Sequence, residues 1–149
     1  MVSNKQKNDD DIFQESIQFH QSGDLDKAQK GFEYLISKYP ESADLCNSLG
    51  TLNLQLGNDK KGCSLLEKSL QINPNQPMIS FNLGNSYLNQ KNTSKALEFY
   101  TMTITKAPEY LEAYIKKGDL LTNLKIHNDA IDCFKNALKL APKNLQILN

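Results

Sequence analysis

The 149-residue sequence has no tryptophan, only three methionines, and no surplus of either charge. Seventeen basic residues balance seventeen acidic ones, so nothing in the bulk charge attracts nucleic acid or an anionic membrane. Apolar runs stay far below the roughly 18 residues that a membrane span needs. The first eleven residues lack the apolar core of a secretory signal. We therefore expect a cytoplasmic protein with neither a nucleic-acid nor a membrane partner.

Cysteine and histidine are too few and too scattered to suggest a metal site. Cys46, Cys63 and Cys133 are odd in number and lack the C-x-x-C spacing, so they are predicted to be small buried hydrophobic residues. His20 and His127 stand far apart, with no cysteine or carboxylate at ligand spacing. No metal ion and no cofactor is expected.

Catalytic motifs are also missing. The sequence contains no G-x-S-x-G, no phosphate-binding P-loop and no H-E-x-x-H. Its carboxylates fall mainly on predicted exposed faces or turns, where solvation or helix capping explains them. We expect no catalytic residues and no enzymatic activity within these residues.

Proline supplies the most informative pattern in the chain. Four of the five prolines recur at intervals of 34 residues, at Pro40, Pro74, Pro108 and Pro142. A fixed period of this length is typical of a helix–turn–helix unit copied in tandem. Each of these prolines is predicted to end the second helix of its unit, because proline cannot continue a helix.

The residues before each proline form an apolar stripe at helical spacing. Twelve positions earlier the side chains are small: Ala28, Gly62, Ala96 and Ala130. Eight positions earlier they are large: Phe32, Leu66, Tyr100 and Phe134. Four positions earlier they are aliphatic: Ile36, Leu70, Ile104 and Leu138. Steps of four residues place all three on one face of a helix. We expect Leu83, Tyr87, Ala96, Tyr100 and Ile104 to form the central core.

The first helix of each unit carries a recurring glycine. It appears in Leu49–Gly50, Leu83–Gly84 and Lys117–Gly118, followed three residues later by Asn53, Tyr87 and Leu121. Because glycine weakens a helix interior by about 1 kcal/mol, its return indicates a point of close backbone contact between helix pairs. Short turns at Gly23–Asp24, Gly57–Asn58 and Lys91–Asn92 are predicted to join the paired helices. The predicted caps of the second helices are Asp26, Ser94 and Asn128.

The pattern Leu83-Gly84-x-x-Tyr87, followed by Ala96, Tyr100 and Pro108, resembles the tetratricopeptide repeat (TPR). The resemblance implies an all-α fold, a right-handed α-solenoid of four helix–turn–helix repeats. The predicted boundaries are a flexible polar tail at 1–8, repeats at 9–42, 43–76, 77–110 and 111–144, and the stub of a further helix at 145–149. Departures from the pattern include Glu15–Ser16 in the first repeat and Gly62 in the second.

The resemblance also implies that binding takes place on a concave wall built from the first helices. Three registers share that face, and the last of them is a column of carboxamides, formed by Gln21, Gln55, Asn89 and Asn123. A carboxamide can donate and accept, so such a column can bind the backbone of an extended peptide. It is similar in character to the asparagine-lined grooves of some TPR arrays. Polar residues near a helix end are equally explained without any ligand. The candidate groove residues are Gln21, Asn47, Thr51, Gln55, Asn82, Asn85, Asn89, Lys116, Asp119 and Asn123.

A clamp for two carboxylates, which other TPR domains use to hold chaperone C-termini, is not expected. The matching places hold Asn47, Thr51, Asn82, Glu112 and Lys116. Only Asn82 and Lys116 are compatible with a carboxylate ligand, and Glu112 would repel one.

Two functions remain open. One is an adaptor or scaffold whose groove binds a protein or peptide partner. The alternative is the N-terminal repeat region of a larger enzyme, such as a TPR-containing glycosyltransferase or sulfotransferase, serving substrate recruitment or oligomerisation. Near the C-terminus, Leu145, Ile147 and Leu148 open a further apolar helix. We expect a continuing chain or a second copy of the protein to cover the open end, which makes self-association a prediction.

Overall fold

The computed structural model describes the backbone of residues 8–145 and the side chains of residues 8–141. This part of the chain forms eight α-helices. Their bounds are α1 Asp9–Ser22, α2 Leu25–Lys38, α3 Ala43–Gln55, α4 Asp59–Ile72, α5 Pro77–Asn89, α6 Thr93–Lys106, α7 Leu111–Asn123 and α8 His127–Leu145. None of these helices is long and apolar enough to cross a membrane.

The helices pack in consecutive pairs, α1 with α2, α3 with α4, α5 with α6 and α7 with α8. The predicted all-α architecture of four helix–turn–helix repeats is therefore confirmed. The chain divides into two compact halves, residues 1–74 and residues 75–149, and each half holds two pairs. In the N-terminal half α2 also packs on α3, and in the C-terminal half α6 also packs on α7.

Each pair is joined by a turn that contains one left-handed residue. Gly23 and Gly57 have φ angles of 84° and 78°, and the same turns later in the chain hold Lys91 and Lys125 at 61° and 62°. Glycine adopts this conformation without a steric penalty, whereas lysine does so at some cost. The turns therefore lie where the sequence predicted them, and their length brings the two helices of a pair antiparallel.

In the first and third repeats the residue that follows the left-handed position caps the second helix, so the predicted caps are wrong by two residues. Asp24 accepts a hydrogen bond from the Lys27 backbone N–H at 3.4 Å. In the third repeat Asn92 does the same for Lys95 at 3.2 Å. The residues that we had predicted as caps lie within the helices instead: Asp26 in α2, Ser94 in α6 and Asn128 in α8. The two-residue turn leaves no room for a later cap.

Three of the four periodic prolines follow the end of a helix, as predicted. Helices α2, α4 and α6 each end two residues before Pro40, Pro74 or Pro108. The prediction for Pro142 is wrong, because α8 passes through it and continues to Leu145. A proline removes one helix hydrogen bond and crowds the preceding turn, but it does not prevent helical dihedral angles at its own position. Leu145, the first residue of the predicted stub, thus belongs to α8, and residues 146–149 lie outside the described part.

The apolar stripe of the second helices forms most of the core. Ala28, Phe32, Ala96 and Tyr100 are completely buried. Four of the five residues predicted for the central core are buried, and the fifth, Ile104, is half-buried. Leu138 departs from the pattern, since 70% of its surface is exposed. The residues at the same position of α2 and α6 are half-buried, because the helix that follows packs beside each of these two helices. No described helix follows α8.

The recurring glycine marks a close approach of the two helices within a pair, whereas the sequence had indicated contact between pairs. A Cβ atom on Gly84 would lie 2.6 Å from the Tyr100 ring, and one on Gly118 would lie 2.8 Å from the Phe134 ring. The first repeat reverses the arrangement. There Ser16 occupies the glycine register on α1, and Gly31 on α2 provides the space that the Ser16 side chain fills. This exchange explains why the first repeat departs from the Leu–Gly pattern.

The second repeat compensates for its two unusual residues in a similar way. Gly62 stands where the other repeats have alanine, and a Cβ there would meet Leu54 at 2.7 Å. Asn53, at an aromatic or leucine register, is fully buried and donates from Nδ2 to the Leu49 carbonyl at 2.7 Å. Cys46, Cys63 and Cys133 are all buried, as predicted.

Candidate functional site

The ten candidate groove residues lie on the first helices of the repeats, which are two helices in each half of the molecule. In the N-terminal half, Gln21 lies in the last turn of α1, and Asn47, Thr51 and Gln55 follow one another along α3. Gln21 and Gln55 are exposed, whereas Asn47 and Thr51 are half-buried. Spacings of four residues put the three α3 side chains on one face of that helix.

The C-terminal half carries the other six candidates on α5 and α7. Those on α5 are Asn82, Asn85 and Asn89, and those on α7 are Lys116, Asp119 and Asn123. Asn89 and all three α7 residues are exposed, while Asn82 and Asn85 are half-buried. Within the described part of the chain, Asn85 is the one residue of these six whose side chain makes a hydrogen bond.

His20 holds the carboxamide of Gln55. The imidazole Nε2 lies 2.8 Å from Gln55 Oε1, across a separation of 35 residues in the chain. Because an amide oxygen can only accept, the imidazole donates from Nε2. This hydrogen bond joins the C-terminal ends of α1 and α3, so the two first helices of the N-terminal half lie side by side there. It leaves the two N–H donors of Gln55 for another partner.

Tyr100 orients the carboxamide of Asn85 in the same way, by donating a hydrogen bond to its oxygen. The fully buried tyrosine donates its hydroxyl to Asn85 Oδ1 at 2.8 Å. Burial raises the pKa of the tyrosine to about 12, so the hydroxyl keeps the proton that it donates. One of the two lone pairs of the Asn85 oxygen is therefore used from the core side. Its Nδ2 group retains two donors.

One further pair of candidates is brought together. Thr51 Oγ1 lies 3.4 Å from Asn47 Oδ1, one helical turn away on α3, which is a long and weak hydrogen bond. It again uses the oxygen of a carboxamide. In the described part of the chain, no other two candidates are joined by a side-chain hydrogen bond.

Phe13 on α1 and Phe81 on α5 are half-buried and pack against other aromatic rings. Phe13 meets Phe32 edge to face, with 6.0 Å between the ring centroids. Phe81 lies between Tyr100 and Tyr110, at centroid distances of 5.8 and 5.0 Å. The contact with Tyr110, which precedes α7, places the N-terminal ends of α5 and α7 beside each other.

The sequence did not identify the two side chains that orient the carboxamides. Tyr100 was predicted to lie in the core, and it is buried there. Its hydroxyl also reaches Asn85, on the surface of the first helices that carries the ten candidate residues and is called the candidate face below. His20 had been considered only as a metal ligand. A hydrogen bond between positions 15 or 35 residues apart leaves no trace in the periodicity of one helix. In the described residues, no cluster of three His, Cys, Asp or Glu side chains could hold a metal ion.

Comparison with protein families agrees with the helical pattern. Three models described as tetratricopeptide repeat match the chain. One matches residues 43–76 and 111–144, a second matches residues 65–98, and a third matches residues 13–42. Together the matched segments cover most of the chain and include all eight helices in whole or in part.

Similar proteins of known description are much longer than this chain. Over 124 residues it is 29% identical to the protein O-mannosyl-transferase TMTC1 of Mus musculus, which is 80% of this chain and 13% of that protein. Over 139 residues it is 27% identical to the peroxisomal targeting signal receptor of Candida albicans, covering 90% of this chain and 24% of the receptor. The chain therefore spans a quarter or less of either relative.

Solved structures share the fold at low sequence identity. A crystal structure of MamA superposes with a TM-score of 0.87 and 21% identity, over 93% of this chain and 81% of the other. MamA from Desulfovibrio magneticus gives a TM-score of 0.81 and 18% identity, over 91% and 77% of the two chains. At these identities the likeness concerns the fold alone.

Proposed function

Because the chain belongs to the tetratricopeptide repeat family, we propose that it binds an extended segment of a partner protein along the first helices of its repeats. TPR units are protein-interaction repeats, and the ten candidate residues lie on the first helices of both halves. The proposal adds a specific mode of recognition, in which side-chain amides contact the backbone of the partner.

The orientation of the carboxamides carries this proposal. Gln55 and Asn85 each have their oxygen occupied by a neighbouring donor, His20 and Tyr100. One of the two lone pairs of each oxygen is thereby used, so these side chains offer a partner chiefly their N–H groups. The N–H groups of an amide donate to carbonyl oxygens, which every residue of an extended peptide carries. The site would bind peptide backbone through its carbonyls and tolerate many side chains.

Exposed amides extend the same surface within each half. Gln21 lies one residue after His20, and Asn89 lies one turn after Asn85. Neither has a hydrogen-bond partner in the described part of the chain. Each retained hydrogen bond to a peptide contributes about 1 kcal/mol, so several are needed for micromolar binding.

Selection of peptides from a phage-displayed library on the intact protein tests the proposal. The affinities of selected peptides are then measured by calorimetry for wild type and two variants. Asn85→Asp keeps the size and the accepting oxygen but removes both donors. Asn89→Ala combined with Asn123→Ala removes two exposed amides from the C-terminal half. Each change should weaken binding about tenfold, the loss of one or two hydrogen bonds.

A matched control separates recognition from stability. Asn128→Ala combined with Asn136→Ala removes two exposed amides from α8, outside the candidate face. This control should leave peptide affinity unchanged. If the selected peptides bind Asn85→Asp and the Asn89–Asn123 double variant as tightly as wild type, the amides are not the recognition surface.

A second function is favoured by the likeness to the O-mannosyl-transferase relative. We infer as the alternative that these repeats serve as the recruiting region of a larger enzyme, with the same carboxamides binding its substrate or a second subunit. In either case the described residues act by binding and not by catalysis. The coding sequence flanking residues 1–149 tests the larger-enzyme proposal, since it requires a catalytic domain there.

Self-association is proposed for the exposed face of α8. Ile131 and Leu138 lie two turns apart on this helix and expose 50% and 70% of their surface. Two exposed aliphatic side chains on one helical face favour contact with an apolar partner surface. We propose that a second copy or a further helix covers them.

A reducing, cytoplasmic location is proposed as well. The buried thiols of Cys46 and Cys133 support it, because burial raises the pKa of both and keeps them protonated and unreactive. Small buried cysteines of this kind are common in reducing compartments. Localisation of the tagged full-length gene product would test this assignment.

A further inference from the structure

A cleft of about 320 Å³ opens in the N-terminal half, where the first turns of α1 and α3 meet the end of α2. It is separate from the carboxamides described above. Its lining residues are Asp9, Asp10, Phe13, Leu35, Tyr39, Ser42, Asp44 and Leu45. All of them belong to one compact half, so the cleft is complete within residues 8–74.

The floor of the cleft is apolar and firmly packed. Leu35 and Leu45 belong to the buried core and are 2% and 5% exposed. Phe13 is fixed beside them by its edge-to-face contact with Phe32. A side chain entering the cleft would therefore meet hydrocarbon, which favours an aliphatic or planar group over a hydrated ion.

One wall is fastened by a charged network at its edge. The Asp9 carboxylate accepts from Lys38 Nζ at 2.8 Å and from the Tyr39 hydroxyl at 2.7 Å. These bonds tie the first turn of α1 to the end of α2. Asp9 and Lys38 neutralise each other, so neither contributes net charge to the opening.

The rest of the rim is acidic. Asp10 and Asp44 are exposed in the first turns of α1 and α3, and neither has an ion pair or hydrogen bond in the described part of the chain. None of the eight lining residues is basic. Helix dipoles favour acids at these positions. Because Asp10 and Asp44 have no such partner, both carboxylates are available to a cation that enters between the helices.

We propose that this cleft binds an arginine or lysine side chain of a partner's extended segment. The aliphatic stem lies over Phe13 and Leu45, and the cationic head lies between Asp10 and Asp44. This combination of apolar floor and anionic rim complements a long basic side chain in both respects. The site does not depend on the carboxamides, since none of its lining residues is among the ten groove candidates.

The test uses the full chain labelled with nitrogen-15 and a capped pentapeptide that contains one arginine among glycines. Amide signals of Phe13, Tyr39 and Leu45 are followed by NMR during titration. We expect saturable shifts of these signals that weaken as salt is raised, because exposed charges are screened. The same peptide with citrulline, which has the shape of arginine without its charge, should bind at least tenfold more weakly.

Two charge-matched double variants assign the effect to the cleft. Asp10→Asn with Asp44→Asn removes both rim charges and should weaken arginine-peptide binding about tenfold. Asp26→Asn with Asp59→Asn removes two exposed first-turn acids from α2 and α4 in the same half and should leave the affinity unchanged. Circular dichroism would show that both variants keep their helices.

Three results would overturn the proposal. Equal binding of the citrulline peptide would remove the role of charge. Equal weakening by the Asp26–Asp59 control would show that only the overall charge of this half matters. Identical shifts with calcium chloride in place of peptide would indicate a simple cation site. The phage selection of peptides that bind the carboxamides can succeed or fail independently of all three results.

Discussion

The hydroxyl of Tyr100 donates to Oδ1 of Asn85 at 2.8 Å, so a fully buried side chain fixes the orientation of a side chain on the candidate face. The tyrosine also fills the space that Gly84 leaves on α5. The same residue thus sets the distance between the two helices and the polarity of the surface that one of them presents. Stability and recognition are coupled at this position.

Replacing Tyr100 with phenylalanine should separate these two roles. Tyr100→Phe keeps the ring against Gly84 and loses the hydrogen bond, so the free energy of unfolding in urea should fall by about 1 kcal/mol. Tyr100→Ala should cost roughly 3–5 kcal/mol, because it also opens a cavity. A Tyr100→Phe cost as large as that of alanine would show that the hydroxyl, and not the ring, supports the core.

The raised pKa of Tyr100 predicts a specific loss of stability at high pH. In the unfolded chain a tyrosine ionises near its ordinary pKa of 10.0, whereas in the folded protein Tyr100 holds its proton to about 12. Its contribution is fully present below pH 10 and is lost as the pH rises through this window. The stability advantage of wild type over Tyr100→Phe should therefore shrink and then reverse between pH 10 and 12, because the loss over this range exceeds the roughly 1 kcal/mol that the hydrogen bond contributes. A difference that stays constant across this range would mean that Tyr100 ionises equally in both states.

The exchange of Ser16 and Gly31 in the first repeat predicts a rescue. In Gly31→Ala the new Cβ would collide with the Ser16 hydroxyl, which donates to the Ile12 carbonyl at 2.7 Å. Overpacking of this kind typically costs about 1–3 kcal/mol. Adding Ser16→Gly restores the arrangement of the other repeats, with the small residue on the first helix, and should recover part of the loss.

Thermal unfolding of the two single variants and the double variant measures this coupling as a double-mutant cycle. Gly23→Ala is a useful reference, because no atom beyond the neighbouring residues in the chain lies within 4 Å of its added Cβ and only the backbone conformation is strained. Strictly additive effects of Gly31→Ala and Ser16→Gly would contradict direct contact between the two positions.

How far the sequence predicted this molecule depends on whether a feature repeats. The 34-residue period located the helix pairs and turns, because every copy repeats the same packing problem. The Ser16–Gly31 exchange was not predictable, since it appears as two unrelated departures until the helices are placed side by side. The exposure of Leu138 was missed for the converse reason: the register predicts burial only where a neighbouring helix supplies the cover.

The sequence selected the candidate residues by their register but could not predict which polar atoms they present. Registers along the first helices gave the ten residues, because helical spacing determines which side chains share a face. Which atom of each carboxamide remains available depends on partners elsewhere in the chain, His20 for Gln55 and Tyr100 for Asn85. Periodicity contains no information about such contacts.

The ion pair at the start of α1 predicts an acid-dependent loss of stability. Hydrogen bonds from Lys38 and Tyr39 lower the pKa of Asp9 below its ordinary value of 3.8. Its contribution is therefore present above pH 3.8 and is lost as the pH falls through the lowered pKa. Asp9→Asn should be less stable than wild type at pH 7, and the two should converge in acid.

Asp10→Asn provides the matched control for this pH dependence. Asp10 stands in the same helical turn and carries the same charge, but it has no bond to Lys38 or Tyr39 in the described structure. Its effect on the urea midpoint at pH 7 should be smaller than that of Asp9→Asn. Equal effects would mean that the helix dipole, and not the ion pair, accounts for the contribution of Asp9.

The exposed face of α8 predicts concentration-dependent association. Ile131 and Leu138 together present an apolar surface that water disfavours, and a second copy of the chain is always available in a pure sample. Sedimentation velocity should show a larger average mass as concentration rises, and Ile131→Lys with Leu138→Lys should restore the monomer. The control, Leu56→Lys with Ile72→Lys, changes two residues of the N-terminal half that are each 37% exposed, and it should leave association intact. If wild type remains monomeric at millimolar concentration, self-association through this face is excluded, and only a further helix or a different protein is left to cover it.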